Sequence, residues 1–155
     1  MLQPFTYWTI PPKLYERLEQ LLRPGMATLE TGSGLSTRLF DAAGCHHIAL
    51  EHDRRFAADS PSVVVAPLIG NPPWYDWDPP HPFDLLLIDG PPQDAGGRMG
   101  LLRICDRLVH RTTIIVLDDT HRAPECALAE RLAQRFCLRA QNFDNHQRRF
   151  TILTP

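Results

Sequence analysis

The sequence predicts a three-layer α/β/α sandwich around a seven-stranded, mostly parallel sheet whose last strand is antiparallel. Strand-like and helix-like runs alternate along the chain, and alternating units of this kind pair their strands in parallel. Two runs, FDLLLID (residues 83–89) and TTIIVLD (112–118), are almost wholly apolar, which is typical of strands buried on both faces. Two further strand-like runs close the chain, and their hairpin supplies the antiparallel strand.

The size and composition of the chain indicate one globular domain over residues 1–155. Of the 155 residues, 43% are hydrophobic and 22% are charged, which is ordinary for a protein with a buried core. The formal net charge of -2 gives no basic excess, so no nucleic-acid partner is expected. No apolar run has signal-peptide or membrane-span character. We expect a cytoplasmic protein without membrane contact, whose four cysteines are buried free thiols.

The first half of the chain predicts two long helices and three strands. Residues 1–25 carry the N-terminal helix PPKLYERLEQLLRPG, with leucines on one face and Gly25 at its end. The core, residues 26–155, follows with the strand MATLE (26–30), the helix LSTRLFDAA (35–43), the strand HHIALE (46–51), the short helix DRRFAADS (53–60) and the strand SVVVAPL (62–68).

The second half begins with IGNPPWYDWDPPHP (69–82), which is too rich in proline for a regular element and predicts a loop. After FDLLLID, the run RMGLLRICDRLVHR (98–111) predicts a helix. TTIIVLD is the fifth strand. The remaining elements are the helix APECALAERLAQRF (123–136) and the strands CLRAQNF (137–143) and RRFTILTP (148–155), joined by the turn DNHQ.

The stretch ETGSGLST (30–37) joins the first strand to a helix, where open parallel sheets bind their ligands. Gly32 and Gly34 let the backbone turn tightly and approach a ligand. The third position of a dinucleotide fingerprint is Thr37, and the lysine of a P-loop is absent, so both phosphate-binding motifs are disfavoured. The alternative is a plain strand-to-helix turn in which Ser36 or Thr37 caps the helix.

Two acidic residues narrow the range of possible ligands. Glu30 precedes the glycines and would repel a pyrophosphate but attract a cationic group. Glu51 ends the second strand at the spacing where an acid accepts ribose hydroxyls, although taken alone it fits a solvated strand end. Together they favour a nucleoside with a positively charged amino-acid tail, which describes S-adenosylmethionine.

Residues 26–155 resemble the class I S-adenosylmethionine-dependent methyltransferases in LETGSGLST, ALEHD, FDLLLIDGPP and the closing hairpin. The resemblance implies a Rossmann-like fold and methyl transfer to an acceptor oxygen or nitrogen. It also implies a set of cofactor contacts. The methionine part would be lined by Glu30, Thr31, Gly32, Ser33, Gly34 and Asp89; the ribose would be bound by Glu51, and the adenine flanked by His52, Pro67 and Leu68.

Aspartates follow the fourth and fifth strands. Asp89 ends LLLID, and Asp118 and Asp119 end IIVLDD, so the three carboxylates should converge at one edge of the sheet and could hold Mg²⁺. The spacing resembles the catechol-type metal-dependent O-methyltransferases, except that their Asp-Asn pair reads Asp-Asp here. The alternative is structural: Asp89 bonds the Gly90 turn and Asp119 caps the following helix.

Further candidates concern catalysis and the methyl acceptor. Asp89, Asp118 and His121 are the candidate catalytic residues, with His121 as a general base or a solvated loop residue. Trp74 and Tyr75 either cover the ligand or pack against the N-terminal FTYW and its helix. Arg98 either clamps a carboxylate or phosphate of the acceptor or is a solvated charge.

Two questions stay open from sequence. The acceptor is an unidentified small molecule or protein, and the acceptor side either lies open or is completed by a partner chain, as in a homodimer. The alternatives to an enzyme with this chemistry are a non-catalytic module that binds the cofactor or scaffolds a partner, and a nucleotide-dependent oxidoreductase, which the missing third glycine disfavours.

Overall fold

The computed structural model describes residues 9–146 and 148–155. The predicted packing partner FTYW lies outside these residues. The helices are α1 (Pro12–Leu21), α2 (Leu35–Ala42), α3 (Cys105–Leu108) and α4 (Ala123–Phe136), with 3₁₀ turns at Arg54–Phe56, Gln93–Ala95 and Met99–Arg103. The strands are β1 (Ala27–Thr31), β2 (His46–Glu51), β3 (Val63–Val65), β4 (Leu68–Ile69), β5 (Trp74–Tyr75), β6 (Phe83–Ile88), β7 (Val109–Leu117), β8 (Arg139–Asn145) and β9 (Arg148–Thr154).

Seven strands form one sheet in the order β3-β2-β1-β6-β7-β9-β8. The pairs from β3 to β7 are parallel, and β9 runs antiparallel to both β7 and β8. The chain order reverses between β1 and β6, which places a topological switch point at the carboxyl ends of these two strands. The predicted fold class is confirmed.

Side chains of β6 alternate between the two faces of the sheet. Leu85 and Leu87 pack in a cluster with Leu14 of α1 and Phe40 of α2. On the other face, the cluster of Leu86 and Ile88 includes residues of α4, of the 3₁₀ turn before α3 and of the β4–β5 ribbon. Both faces of β6 are therefore covered, which explains its unbroken apolar run.

In the second half of the chain, two segments differ from their predicted structure. The loop 69–82 contains part of an antiparallel ribbon, β4–β5, that begins at Leu68. The predicted helix 98–111 is a 3₁₀ turn followed by the four residues of α3, and Val109 already pairs with Phe83 in the sheet. The ribbon packs directly on this turn, since a Cβ at Gly100 would lie 2.1 Å from the carbonyl oxygen of Pro73.

The cysteine prediction is only partly correct. All four thiols are free, but only Cys105 is fully buried, and Cys137, which ends α4 in a left-handed conformation, is exposed. Within the described part of the chain, no helix combines the length and apolar character needed to cross a bilayer.

Candidate functional site

A cavity of about 930 Å³ opens at the carboxyl ends of β1, β2 and β6. Its walls come from the segments that follow these three strands, from Tyr75 and from the start of the described chain. The lining residues include Thr9, Ile10, Glu30, Gly32, Ser33, Gly34, Arg38, Glu51, His52, Asp53, Arg55, Phe56, Asp59, Tyr75, Asp89, Gly90, Pro92 and Asp94. This is the place where the reversal of strand order predicts a ligand.

The glycine loop shapes one wall of the cavity. Gly32 has a φ of +86°, which a side chain rarely adopts, and a Cβ at Gly34 would meet no atom within 4 Å. Gly34 therefore leaves this wall open. The Ser33 hydroxyl donates to the carbonyl of Phe56 (3.1 Å) and accepts from the Ala58 amide (3.0 Å), which ties the loop to the segment after β2.

Glu30 lies buried beneath the glycine loop, at the base of α2. One carboxylate oxygen accepts from the Ser36 hydroxyl, and the other accepts from the Thr37 hydroxyl at 2.7 Å. Nε2 of His47 lies 3.5 Å from the second oxygen, and the His47 ring stacks on Phe40. Glu30 therefore anchors the start of α2 and lines the cavity at the same time.

Glu51 faces the cavity from the end of β2. Its Oε1 accepts from the amides of His52 (2.8 Å) and Asp53 (2.9 Å), and its Oε2 accepts from the amide of Ser33 (3.3 Å). These donors fix the carboxylate between the glycine loop and the turn after β2. A carboxylate has about four lone-pair sites and the amides occupy three of them, so Glu51 keeps the capacity to accept about one hydrogen bond from a ligand.

Thr31 joins the ends of β1 and β6. Its hydroxyl donates to the Gly90 carbonyl (2.9 Å) and accepts from the amides of Asp89 (3.2 Å) and Gly90 (3.1 Å). Thr31 thereby holds the Asp89–Gly90 turn, and its hydroxyl is committed to protein partners. The prediction that Thr31 contacts a ligand is corrected to this positioning role.

Asp89, Asp118 and Asp119 converge as predicted, with carboxylate oxygens within 4.8 Å of one another. Guanidinium groups surround them. Arg98 Nη2 lies 3.3 Å from Asp89 and 3.0 Å from Asp119. Arg148 Nη2 lies 2.5 Å from Asp118 and 3.3 Å from Asp119, and Arg122 Nη1 lies 3.2 Å from Asp119.

Two carboxyl groups of this cluster, those of Asp89 and Asp118, have raised pKa values. Removal from water, and then the neighbouring charge of Asp118, raises the pKa of Asp89 well above its ordinary value. Burial and the charge of Asp119 likewise raise the pKa of Asp118, against the lowering effect of Arg148. The Tyr75 hydroxyl is also buried, and burial followed by the Glu51 charge raises its pKa, so it stays a donor at neutral pH.

A smaller cavity of about 110 Å³ adjoins the first one, since Asp89 and Pro92 line both. Arg98, Asp119, His121, Arg122 and Arg148 complete its walls. Asp89 is therefore the one aspartate of the cluster that reaches both spaces, and 24% of its side chain is exposed.

Neither a family model nor a curated protein matches the sequence. Solved structures do match. A methyltransferase from Pyrococcus furiosus is 20% identical, with a TM-score of 0.58 over 94% of this chain and 82% of that one. A SAM-dependent methyltransferase from Aquifex aeolicus is 11% identical, with a TM-score of 0.58 over 94% and 98% of the two chains. An rRNA methylase from Streptococcus thermophilus is 10% identical, with a TM-score of 0.59 over 94% and 97%.

This is the class I methyltransferase fold. The larger cavity lies where this fold places its switch point, and its residues fit S-adenosylmethionine. Gly34 leaves room for a ligand beside Glu51. The buried Tyr75 hydroxyl lines the cavity and has no hydrogen-bond partner among the described residues, so a donor is available. Arg38 adds an exposed cation at the wall formed by α2.

Several predicted contacts lie elsewhere in this methyltransferase fold. Pro67 and Leu68 are not among the residues that line the cavity, and Trp74 is only 1% exposed in the core beneath the ribbon. Arg98 is buried by its carboxylate and carbonyl partners, so it is not free to clamp an acceptor. Trp74 and Arg98 are therefore corrected, Trp74 because the β4–β5 ribbon packs on the 3₁₀ turn at Gly100 and Arg98 because its oxygen partners enclose it. Pro67 is exposed and Leu68 is half-buried outside the cavity, so their contact with adenine stays a prediction.

The catalytic candidates also separate. Asp118 is fully buried against Arg148 and lines neither cavity. His121 lines the smaller cavity, but its Nδ1 accepts from the Arg149 amide (3.3 Å), which leaves the proton of the neutral ring on Nε2. In that arrangement His121 presents a donor and not a base to the cavity. Asp89 remains at the junction of both cavities.

Several residues that line the cavity were not predicted from sequence, and two of them matter most for a ligand. Phe56 lines the cavity with 68% of its surface exposed, and Arg38 lines it from α2. The pattern DRRFAADS predicted a helix with an ordinary polar surface, and the 3₁₀ turn instead directs this segment toward Ser33. Arg38 carried no signal because a charged residue on a helix is usually a solvated one.

The Mg²⁺ prediction does not fit the geometry. A divalent ion needs several carboxylate or carbonyl oxygens free to coordinate it. Both oxygens of Asp118 and both of Asp119 already lie within contact of a guanidinium or amide donor.

Proposed function

We propose that the chain binds S-adenosylmethionine in the larger cavity and transfers its methyl group to an acceptor oxygen or nitrogen. The observation that carries the proposal is the position of Glu51, fixed by three backbone amides beside an open glycine loop at the switch point of a methyltransferase fold. When bound, the cofactor supplies a methyl group activated by a sulfonium charge.

The charges of the cavity match those of the cofactor. Glu51 accepts a hydrogen bond from a ribose hydroxyl, and Arg38 pairs with the amino-acid carboxylate. Asp89 faces the ammonium and sulfonium groups. Phe56 offers an exposed aromatic face to the adenine, a contact that stacking favours. The volume of about 930 Å³ is in the upper part of the roughly 300–1,000 Å³ range of ligand pockets, so part of the acceptor has room beside the cofactor.

Asp89 is the residue that we assign to the acceptor's proton. It lines both cavities, and its raised pKa makes its carboxylate a stronger base than an ordinary aspartate. The larger contribution to rate comes from holding the two partners in line, since proximity and orientation supply about 7–11 kcal/mol in well-oriented systems.

Calorimetric titration with S-adenosylmethionine tests the binding. Wild type should bind, and Glu51→Gln should bind more weakly by roughly tenfold or more, because a charged acceptor contributes about 1.5–3 kcal/mol per hydrogen bond. Glu16→Gln, on the exposed face of α1, is the matched control and should bind as wild type does. A folded wild-type protein that does not bind at millimolar ligand would exclude the proposal.

Turnover separates an enzyme from a binding module. Release of S-adenosylhomocysteine with one of a panel of oxygen and nitrogen acceptors, lost in Asp89→Asn, supports methyl transfer. Tight binding without turnover over a broad panel would favour the non-catalytic alternative.

A further inference from the structure

Both Nη groups of the Arg98 guanidinium contact oxygen atoms of the protein. Nη1 donates to the carbonyl of Asp118 (2.7 Å) and lies 3.4 Å from that of Ile88. Nη2 donates to the Asp89 carbonyl (2.6 Å) and reaches the side chains of Asp89 and Asp119. Five oxygens from the ends of β6 and β7 thus converge on one buried cation.

The backbone is shaped to bring these groups together. Gly96 and Gly97 both have positive φ, and they turn the chain so that Arg98 points back at the sheet. Asp119 has a φ of 60°, which is uncommon for a residue with a side chain and carries local strain. The glycine turn before Arg98 and the positive φ of Asp119 thus bring the two partners of this ion pair together at one edge of the sheet.

The other guanidinium groups complete the neutralisation. Arg148 contacts Asp118 and Asp119, and Arg122 contacts Asp119. Three cations therefore face three carboxylates. Among the three aspartates, Asp89 lines both cavities and keeps 24% of its side chain exposed, so it is the carboxylate that the cluster presents to them.

We propose that Arg98 acts as the resident cation of this site, a positioning residue that occupies the place of a divalent ion between the β6 and β7 carboxylates and aims Asp89 at the cofactor cavity. Ligand binding is then independent of divalent ions. The role of Asp89 toward the cofactor rests on the proposed function, whereas the exclusion of metal does not. Guanidinium is suited to this position because its planar fork donates to several oxygens at once.

The first experiment measures Mn²⁺ binding to wild-type protein by the electron paramagnetic resonance signal of the free ion. The expected result is that Mn²⁺ stays free up to about millimolar concentration, beyond the range of most oxygen-ligand sites. One bound Mn²⁺ per chain below that concentration would overturn the proposal. This arm needs no cofactor, so its outcome is independent of the methyl-transfer proposal.

The second experiment measures S-adenosylhomocysteine affinity in wild type, Arg98→Ala and the control Arg107→Ala, whose guanidinium pairs with the exposed Asp78. In Arg98→Ala the affinity should fall about 10–100-fold, as expected for loss of a supporting partner. Millimolar guanidinium should restore part of it, and Arg107→Ala should match wild type in both conditions. Rescue separates positioning from a general loss of structure.

Unchanged affinity in Arg98→Ala, or rescue by Mg²⁺ but not by guanidinium, would contradict the proposal. If Arg98→Ala does not fold, Arg98→Lys takes its place, since lysine keeps the charge but its single ammonium cannot span both strands. Arg98→Lys should bind more weakly than wild type, and wild-type affinity in Arg98→Lys would overturn the proposal. If wild type binds no S-adenosylhomocysteine at all, the proposed function fails and the Mn²⁺ result alone decides the resident cation.

Discussion

The two halves of the sheet's carboxyl edge hold their carboxylates in different ways. At the ends of β1 and β2, Glu30 and Glu51 accept hydrogen bonds mainly from hydroxyl and amide groups, which are neutral. At the ends of β6 and β7, the aspartates face arginines. Neutral donors leave the negative charge available to a ligand, whereas guanidinium groups cancel it. Carboxylates at neighbouring strand ends therefore form a ligand site in one half and, in the other half, an arginine-bound cluster from which Asp89 lines the cavities.

The largest expected effect comes from a substitution in the arginine-bound half, at the ends of β6 and β7. Arg98→Ala removes the arginine partner of Asp89 and one of the three arginine partners of Asp119, and breaking a buried ion pair from one side costs about 3–5 kcal/mol of unfolding free energy. Urea unfolding measures it. The control Arg107→Ala breaks an exposed pair and should cost about 0–1 kcal/mol. Equal losses in the two variants would mean that the contacts of Arg98 contribute no more than an exposed ion pair.

A smaller effect is expected at Gly90, which lies at the seam where the two halves meet, between the ends of β1 and β6. A Cβ at Gly90 would lie 2.7 Å from the Tyr75 hydroxyl and 3.1 Å from the Gly32 amide nitrogen. Gly90→Ala should therefore cost about 1–3 kcal/mol in urea unfolding, as overpacking does. Gly34→Ala is the control, because its Cβ meets no atom within 4 Å and the change should stay within about 0.5 kcal/mol. A neutral Gly90→Ala would show that the seam is looser than these contacts indicate.

The subtlest test uses pH. The folded state binds the Asp89 proton more tightly than the unfolded chain, because removal from water and Asp118 raise the pKa against the lowering effect of Arg98. The stabilising contribution of the Asp89 carboxyl to the free energy of unfolding is therefore fully present below about pH 3.8. It is lost as the pH rises through the raised pKa. Asp89→Asn should gain stability over wild type at neutral and alkaline pH, and the gain should vanish toward pH 3.8.

Urea unfolding at several pH values measures this difference, and Asp59→Asn, an exposed aspartate at the cavity rim, is the control. The gain of Asp89→Asn should shrink on acidification and that of the control should not. A stability gain for Asp89→Asn that grows toward acid pH would contradict a raised pKa of Asp89 in the folded state.

The half built from neighbouring residues was the half that the sequence predicted well. Glu30, the glycines and the start of α2 lie within eight residues, and Glu51 follows one strand later, so local motifs were enough. The convergence of the aspartates was also predicted, because parallel strands end at one edge. The arginines were not, since Arg98, Arg122 and Arg148 come from three separate segments whose meeting only the tertiary fold determines.

Trp74 shows the same limit on a smaller scale. The proline-rich segment around it predicted a loop, and a two-residue strand is too short to give an alternating pattern. Its burial depends on Gly100 and on the ribbon that packs over this glycine, neither of which a local pattern reveals.

The most direct test of the central claim is a calorimetric titration of S-adenosylmethionine into wild-type protein, first with a chelator and then with Mg²⁺. If neutral donors hold the carboxylates of the ligand site and arginines hold the aspartate cluster, S-adenosylmethionine should bind at one site without a metal. The dissociation constants in the two conditions should then agree within about twofold. Binding that appears only with Mg²⁺, or no binding in either condition, would contradict it.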